Sequence, residues 1–342
     1  MKRVTDFAGY LTDFLGRYLP LEYGASVNTI ATYSQTFILF LRYMQKVELI
    51  RAESVCLKDI TRDSIVGFLK WIEKERECGA STRNARLGAL HSFFKYLQYR
   101  DVEGLARWQD VMTIQYKRNI NREMAYLTIE GIRLLLRQPF LATRAGRRDF
   151  ALLGLLYDSG ARVQELIDLT PSSLRFGETT TIRLLGKGNK VRVVPLSENQ
   201  VKNLRQYMTE NGLFEPLESG HPLFYNPQKS RLTRMSVLNI VKKYALMARQ
   251  ENPSLIPEKI GCHSLRHSKA MHLLEADINL VYIRDFLGHS STTTTEIYAR
   301  ASEKKKQEAL ERLNPGIVRK GKTCWQKDRE LMGYLKSLKQ KY

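Results

Sequence analysis

Residues 261–300 read GCHSLRHSKAMHLLEADINLVYIRDFLGHSSTTTTEIYAR. This stretch places an arginine between two histidines at residues 263–267, a third histidine in Leu-Gly-His-Ser at residues 287–290, and Tyr298 nine residues after that histidine. Arginine and histidine are good hydrogen-bond donors to phosphate oxygens, and a tyrosine hydroxyl is a potential nucleophile. The stretch therefore indicates a phosphate-binding site beside an oxygen nucleophile.

Two charged residues further upstream complete this set of candidates. Arg162 lies in Ser-Gly-Ala-Arg-Val-Gln-Glu-Leu at residues 159–166, and Lys187 lies in Gly-Lys-Gly-Asn-Lys-Val-Arg at residues 186–192. Arg162 precedes the arginine of the first stretch by more than a hundred positions, so only the fold can bring the two together. The Gly-Lys-Gly segment lacks the spacing of a P-loop, which argues against a nucleotide-binding loop.

The chain carries a large excess of positive charge. Its 342 residues include 55 Lys and Arg against 35 Asp and Glu, which gives a formal net charge of +20. Such an excess repels itself unless an anionic partner offsets it, and double-stranded DNA is the expected polyanion. A merely basic soluble protein, such as a ribosome-associated factor, is the alternative that charge alone leaves open.

The composition also predicts where the protein resides. The four cysteines, at positions 56, 78, 262 and 324, form no C-x-x-C pair, which is typical of reduced thiols. No apolar run approaches the roughly 18 residues that span a bilayer, and the basic N-terminus is not followed by an apolar signal core. We therefore expect a cytoplasmic, nucleoid-associated protein without a membrane partner.

The N-terminal part of the chain, residues 5–98, has the apolar periodicity of four amphipathic helices. These helices are predicted to begin at Thr5, which can cap the first turn, near Ser26, and after Thr61 and Ser81. A solvated four-helix unit is the alternative that the pattern leaves open. Basic residues on the polar faces are candidate DNA contacts: Lys70, Arg83, Arg86 and Lys95.

A chain of this length is expected to form two domains. Residues 1–114 are predicted to form a helical domain, residues 115–124 a polar and basic linker, and residues 125–315 a second domain. The remaining residues, 316–342, form a tail with eight Lys or Arg and two acids. Apolar residues at roughly helical spacing within the tail predict a helix that docks on a partner surface. Docking on its own domain and a disordered basic tail that only adds affinity for DNA are the alternatives.

The second domain is predicted to be mainly helical with a small antiparallel β-sheet. Residues 179–196 contain two β-rich runs around Gly-Lys-Gly-Asn, which predicts a hairpin with Lys187 on its turn. A first helix is predicted from Thr128 up to Pro139. Further helices are predicted at residues 147–158, 162–168, 197–210, 233–249, 263–275, 279–287 and 292–313.

An exchange of phosphodiester bonds without metal needs a nucleophile, neutralised phosphate oxygens and a proton donor for the leaving 5′-oxygen. Arg162 and Arg266 suit the second task because a guanidinium donates paired hydrogen bonds to phosphate and stays protonated. Lys187 on its turn is a candidate proton donor, and the alternative is a lysine that only contacts phosphate. Lys190 and Arg192 are expected to contact the DNA backbone.

The histidines and the tyrosine are candidates for the remaining tasks. His263 is a candidate to accept or relay the proton of the nucleophile, His289 to hydrogen-bond the phosphate, and His267 to support them structurally. The histidines match no H-E-x-x-H pattern and have no suitably spaced cysteine, so we expect no metal site. Tyr298 is the candidate nucleophile. Because a phenol has a pKa near 10, it needs a neighbouring base or cationic field to attack at neutral pH.

Across roughly residues 5–313, these motifs resemble those of the tyrosine recombinases, also called the phage integrase family, including their Xer-like and transposon- or phage-borne branches. The resemblance implies a SAM-like core-binding domain at residues 1–114 and a catalytic domain at residues 125–315. Glu165 matches a supporting acidic residue, while Lys269 replaces a more usual apolar one. The resemblance assigns six catalytic roles: Arg162 and Arg266 as phosphate clamp, Lys187 as general acid, His263 as acid–base catalyst, His289 as transition-state stabiliser, and Tyr298 as the residue that forms a 3′-phosphotyrosyl link.

The resemblance further implies a site-specific recombinase or integrase, of the kind found on mobile elements, that needs no metal, ATP or other cofactor. Strand exchange in this family uses a tetramer on paired DNA sites, and an accessory protein is a possible further partner. Two alternatives stay open. One is a type IB topoisomerase that relaxes DNA as a monomer, and the other is a DNA-binding accessory factor with a silent active site.

Overall fold

The computed structural model describes residues 5–118, 126–215 and 220–289, together with single residues at 295, 298, 333, 336 and 337; for Lys187 it describes the main chain alone. The chain divides into two compact units, Met1–Arg122 and Glu123–Tyr342. Among the described residues, no helix is both long and apolar enough to cross a bilayer.

The first unit is helical. Three of its helices begin where the sequence predicted, because the side chains of Thr5, Ser26 and Thr61 each accept a hydrogen bond from the first turn of a helix. The prediction for the fourth helix is wrong by a few residues, since its cap position is Gly79 and not Ser81. The described elements are α1 (Asp6–Asp13), a π-helical segment that continues it (Phe14–Glu22), α2 (Val27–Lys46), α3 (Arg62–Glu75), α4 (Ala80–Leu97) and α5 (Leu105–Met112), the last of which was not predicted.

Aromatic rings form the centre of this unit's core. The ring centroid of Phe93 on α4 lies 6.0 Å from that of Phe7, 5.2 Å from that of Phe14 and 5.1 Å from that of Phe37, and all three pairs meet edge to face. This geometry is favourable for aromatic quadrupoles. Because its partners come from α1, the π-helical segment and α2, the buried ring of Phe93 holds four elements together.

The segment that follows α5 is bound to α4. Asn84 Nδ2 donates to the carbonyl of Lys117 at 2.7 Å, and the N–H of Lys117 donates back to Asn84 Oδ1 at 3.0 Å. Arg83 Nη1 donates to the carbonyl of Gln115 at 2.9 Å. The predicted linker at residues 115–124 therefore begins with residues that are part of the helical unit.

The second unit combines helices with one small sheet. In chain order its described elements are α6 (Ile129–Arg137), α7 (Arg144–Asp158), α8 (Val163–Ile167), β1 (Leu174–Arg175), β2 (Thr181–Leu185), β3 (Val191–Pro195), α9 (Glu198–Glu210), α10 (Arg234–Glu251), α11 (Cys262–Glu275) and α12 (Leu280–Leu287). The predicted fold class, mainly helical with a small antiparallel sheet, is confirmed.

The sheet has the strand order β1-β2-β3 and is antiparallel throughout. Leu185 pairs with Val191 and Ile182 with Val194, so the predicted hairpin is confirmed and its turn carries Lys187. Side chains alternate along β2, and its buried face joins the core formed with the leucines of α7. β1 was missed because it contributes two residues, too few for a periodic signal.

Most predicted helices of this unit lie within three residues of their observed ends. The helix predicted at residues 292–313 lies outside the described residues except for Thr295 and Tyr298. The tail at residues 316–342 also lies outside them, except for three single positions.

Replacement of Phe93 by alanine should lower the free energy of unfolding of the first unit by about 3–5 kcal/mol, because the cavity would lie between four elements. Urea unfolding followed by tryptophan fluorescence measures this, since Trp71 and Trp108 both belong to that unit. The matched control is Tyr99→Ala, an exposed aromatic whose loss should change stability by less than about 0.5 kcal/mol. Equal effects of the two substitutions would contradict the central role of Phe93.

Candidate active site

Two helices of the second unit are followed by glycines in the left-handed conformation. Gly160 has φ of +57° after α7, and Gly288 has φ of +64° at the end of α12. Residues with a side chain rarely adopt these angles. Space is limiting as well, because a Cβ on Gly160 would lie 2.9 Å from Leu287 Cδ2 and one on Gly288 would lie 3.0 Å from Arg192 Cδ. Glycine at both positions lets α7, α12 and β3 approach closely.

Three arginines converge on the C-terminal end of α12. Carbonyl oxygens at this end of a helix lack intrahelical donors and carry the negative end of the helix dipole. The end of α12 thus offers consecutive acceptors for positively charged side chains. Each of its last carbonyls accepts one guanidinium hydrogen bond: Phe286 O from Arg192 Nε at 3.0 Å, Leu287 O from Arg266 Nη2 at 2.6 Å, and Gly288 O from Arg162 Nη2 at 3.1 Å.

The buried carboxylate of Glu165 lies between two of these arginines. It accepts hydrogen bonds from the main-chain N–H of Arg162 at 2.7 Å and from Arg162 Nη1 at 2.8 Å, at the N-terminus of α8. Arg192 Nη1 and Nη2 donate to its two oxygens at 2.8 and 2.7 Å. Burial alone would raise the pKa of Glu165, but hydrogen bonds and charge from Arg192 and Arg162 lower it below its usual value. The carboxylate is therefore ionised at neutral pH.

Arg162 and Arg266 differ in their exposure. The side chain of Arg162 is 32% exposed, whereas Arg266 is buried and donates from Nη1 to the carbonyl of Gly160 at 2.6 Å. Burial, followed by the charges of Arg162 and Arg192, lowers the pKa of Arg266 to about 9, so this guanidinium is still charged at neutral pH. A guanidinium has five N–H donors, and the bonds described here leave both arginines donors for an anion.

Tyr298 is buried, with 2% of its surface exposed, and its hydroxyl oxygen lies 2.9 Å from His267 Nδ1. Burial raises the pKa of Tyr298, and the charges of Arg266 and Arg162 offset part of that effect. Burial, then the nearby His263 and Arg266, lowers the pKa of His267 to about 4. Because the pKa of the phenol is raised and that of the imidazole is lowered, proton transfer from Tyr298 to His267 is unfavourable. The hydrogen bond joins two neutral groups and positions the phenol.

The other two histidines are neutral as well. The ring of His289 stacks on Tyr298, with centroids 6.3 Å apart, and its Nδ1 lies 3.0 Å from Thr295 Oγ1. Burial, followed by Arg266 and the other arginines, lowers the pKa of His289 to about 4. His263 lies 6.2 Å from His267 between ring centroids, and burial and the charge of Arg266 lower its pKa too. These rings can share hydrogen bonds with a phosphate without adding charge.

The structure brings five of the six predicted catalytic residues into one site. Two cationic arginines, neutral histidines and a phenol together suit a tetrahedral phosphate that is attacked by a tyrosine oxygen. Lys187 lies on the β2–β3 turn, and its side chain is outside the described part of the chain. The five residues in the site are Arg162, His263, Arg266, His289 and Tyr298.

The six predicted DNA contacts fall into two groups. Lys70, Lys95 and Lys190 are exposed, as a phosphate contact requires. Three arginines are placed differently from that expectation, because each guanidinium binds groups within the fold. Arg83 binds the carbonyl of Gln115, Arg86 binds the carbonyl of Thr32 and the hydroxyl of Thr36, and Arg192 binds Glu165 and Phe286.

The sequence did not reveal the acceptor role of the α12 carbonyls, nor the contact between His267 and Tyr298. A signal for the first existed, because a glycine directly after an apolar periodic run predicts a left-handed helix end. No local signal distinguishes His267 from His263 as the partner of the phenol. Among the described residues, no group of three or more His, Cys, Asp or Glu side chains is arranged to hold a metal ion.

Two protein-family models match the chain, one in each unit. The model of the phage integrase family matches residues 127–305, and the model of the phage integrase N-terminal SAM-like domain matches residues 11–101. A Sinorhizobium fredii protein named integrase/recombinase y4rC is 31% identical over 99% of this chain and 100% of its own length. Tyrosine recombinase XerD of Listeria innocua is 30% identical over 89% of this chain and 98% of its own.

Solved structures share the fold. The XerH site-specific recombinase, bound to palindromic difH substrate after cleavage, matches with a TM-score of 0.68 at 24% identity, over 84% of this chain and 80% of that chain. The Tn1549 transposon integrase in complex with transposon right end DNA also matches with a TM-score of 0.68, at 17% identity over 89% and 99% of the two chains. With a family model that covers more than half of its length and a relative of 31% identity along nearly all of it, this chain belongs to the phage integrase family of tyrosine recombinases.

Proposed function

We propose that this enzyme cuts and rejoins double-stranded DNA at specific sites through a covalent 3′-phosphotyrosyl intermediate on Tyr298. The observation that carries the proposal is the hydroxyl of Tyr298, held by His267 beside Arg162 and Arg266. A tyrosine oxygen in the field of two arginines suits attack on a phosphodiester, because the transition state gains negative charge on its equatorial oxygens. The proposed reaction therefore requires the scissile phosphate to bind between the two arginines and the phenol.

The reaction exchanges one phosphate ester for another. The oxygen of Tyr298 forms a bond to the scissile phosphorus, the bond to the 5′-oxygen breaks, and the hydroxyl proton of Tyr298 is accepted by His263, the proposed acid–base catalyst. Lys187 is the proposed general acid for the leaving 5′-oxygen, and its place on the β2–β3 turn supports this. The reverse step, with a new 5′-hydroxyl as nucleophile, rejoins the strand and consumes no ATP because the phosphotyrosine conserves the ester bond.

Each of the other site residues has a proposed role that follows from its surroundings. Arg266, anchored on two carbonyls, is a fixed half of the phosphate clamp, and the more exposed Arg162 is the half that DNA meets. His289, neutral and stacked on Tyr298, is proposed to hydrogen-bond the phosphate. His263 remains the proposed acid–base catalyst, although it is His267 that contacts the nucleophile.

Both units are proposed to bind DNA. The net charge of +20 supports this, as do the exposed Lys70 and Lys95 of the first unit and Lys190 of the second. The first unit serves as the core-binding domain, which agrees with the match of its residues 11–101 to a SAM-like integrase domain. Residues 125–315 serve as the catalytic domain.

The assembly is proposed from the family and from solved relatives. XerH and the Tn1549 integrase were solved on DNA, which supports a DNA-associated location for this chain, at the nucleoid. Recombination between two duplexes cuts four strands, so we propose a tetramer on paired sites. The basic tail at residues 316–342 is proposed to contribute to that assembly, and an accessory protein is a further proposed partner.

Covalent capture tests the function and the nucleophile together. The purified protein is incubated with a random-sequence library of nicked duplexes, and DNA that stays bound after denaturation is sequenced. The wild type should enrich one sequence as a covalent adduct, and Tyr298→Phe should bind that duplex with near-normal affinity yet form no adduct. Tyr282→Phe, which changes an exposed tyrosine of α12, is the matched control and should form the adduct. An adduct on the Tyr298 variant would mean another nucleophile, and no adduct from the wild type would contradict the function.

The clamp is tested by Arg162→Lys. Lysine keeps the charge but lacks the planar fork that reaches Glu165, Gly288 and a phosphate together, so the single-turnover cleavage barrier should rise by about 2.7–4 kcal/mol. The affinity for the captured duplex should change far less. Arg284→Lys on the surface of α12 is the control for a generic arginine replacement. Unchanged cleavage by the Arg162 variant would remove it from the clamp.

Two substrates that differ in their leaving group distinguish the roles of His267 and Lys187. On an ordinary duplex, Lys187→Ala should cleave more slowly than the wild type by a factor on the order of 100. On a duplex with a 5′-bridging phosphorothiolate, the leaving sulfur needs no proton, so this variant should recover most of the lost rate. His267→Ala should stay slow on both substrates, because it loses the group that holds the nucleophile. His267→Asn should retain more activity than His267→Ala, since its amide reaches about the position of Nδ1. Rescue of His267→Ala by the phosphorothiolate would assign His267 to the leaving group instead.

A further inference from the structure

The guanidinium of Arg192 on β3 is enclosed, with 10% of its side chain exposed. Each of its three nitrogens donates a hydrogen bond: Nη1 and Nη2 to the two oxygens of Glu165, and Nε to the carbonyl of Phe286. A guanidinium whose three nitrogens all donate within the protein is poorly placed to reach a DNA phosphate. The role of Arg192 must therefore lie in its contacts inside the protein.

The pair formed by Arg192 and Glu165 borders three catalytic positions at once. A Cβ on Gly186, the residue before Lys187, would lie 3.3 Å from Glu165 Oε1 and 3.7 Å from Arg192 Nη1. A Cβ on Gly288, the residue before His289, would lie 3.0 Å from Arg192 Cδ and 3.1 Å from Arg192 Nη1. The third position is Arg162, whose main chain and guanidinium both bind the same carboxylate.

The charges around Glu165 explain why two arginines share it. A carboxylate bound to Arg162 alone would form a one-to-one ion pair and cancel the positive charge that a phosphate needs. Arg192 occupies both oxygens in a bidentate geometry, and this leaves the cluster a net charge of +1. Of the two cations, Arg162 is the exposed one, so the surplus charge lies on the side that DNA can reach.

We propose that Arg192 is a positioning residue for the phosphate clamp. It holds the carboxylate of Glu165 in the orientation that aims Arg162 outward, and it fixes the backbone of Gly186 and Gly288 beside it. This inference rests on the proposed function, because the clamp has meaning only for a phosphodiester substrate. It replaces the expectation from sequence that Arg192 contacts the DNA backbone.

Cleavage and binding of the captured duplex by Arg192→Gln distinguish positioning from direct phosphate contact. Positioning predicts a loss of single-turnover cleavage at saturating protein on the order of 100-fold, the size of effect that a small misplacement produces. The affinity should stay within about twofold, and the salt dependence of binding should keep its slope. A direct phosphate contact predicts the opposite pattern, with a slope reduced by about one and saturated cleavage unchanged.

A double-mutant cycle tests whether Arg192 acts through Glu165. If it does, Glu165→Gln combined with Arg192→Gln should cleave no more slowly than the slower single variant, because both break the same unit. Independent roles would multiply the two losses. Arg192→Lys, which keeps the charge but cannot bridge both oxygens and Phe286, should fall between the wild type and Arg192→Gln and serves if the latter does not fold.

The matched control for a purely structural role is Arg148→Gln. Arg148 forms a comparable enclosed pair with Asp149 and binds the carbonyl of Tyr225, near the end of α7 remote from Gly160. The Arg148→Gln variant should lose about as much thermal stability as Arg192→Gln, measured by thermal melting. Well below its melting temperature it should still cleave at the wild-type rate. Equal cleavage by the Arg192 and Arg148 variants would overturn the positioning role. A wild type that forms no adduct would instead overturn the proposed function.

Discussion

The repulsion among three clustered guanidinium groups is the constraint on which the site depends. Two like charges about 4 Å apart cost about 4 kcal/mol at an effective dielectric constant of 20, so such a cluster needs nearby negative charge. The protein supplies one full charge on Glu165 and a row of carbonyl dipoles at the end of α12. Because α12 ends in a left-handed glycine, its last carbonyls point toward β3, α8 and α11 instead of continuing a helix. The end of α12 thus connects three elements and also offsets part of the repulsion among the arginines.

The protonation states of the site follow from burial and from the same cationic field. Burial, reinforced by the nearby positive charge, lowers the pKa values of His267 and His289 to about 4, so the histidines add hydrogen bonds and no further repulsion. The same field offsets part of the burial that raises the pKa of Tyr298. An incoming phosphate brings negative charge into this field, which makes a histidine easier to protonate. The histidines therefore become better proton acceptors when the substrate is present.

The sequence predicted local features well and tertiary ones poorly. The helix starts at Thr5, Ser26 and Thr61 were predictable because apolar periodicity is a local signal, and the β2–β3 hairpin followed from two β-rich runs around glycines. Lys190 and Arg192 show the limit of such local prediction. Both are basic and they lie two positions apart, yet the first side chain is exposed and the second is enclosed. Strand alternation predicts which face a residue occupies, but not that a carboxylate from α8 lies against that face. His263 and His267 share one helix face, so only the docking of Tyr298 decides between them.

The burial of Tyr298 has a consequence for fidelity. If Tyr298 is the nucleophile, as proposed, its enclosed phenol must become accessible to the scissile phosphate, and part of the free energy of DNA binding is then used to expose it. A duplex that makes the full set of contacts can supply that free energy, whereas a chance encounter with genomic DNA held mainly by charge supplies less. Discrimination between sites then appears in the rate of cleavage as well as in the affinity. The proposed nucleophile then stays enclosed on DNA that supplies too little binding free energy.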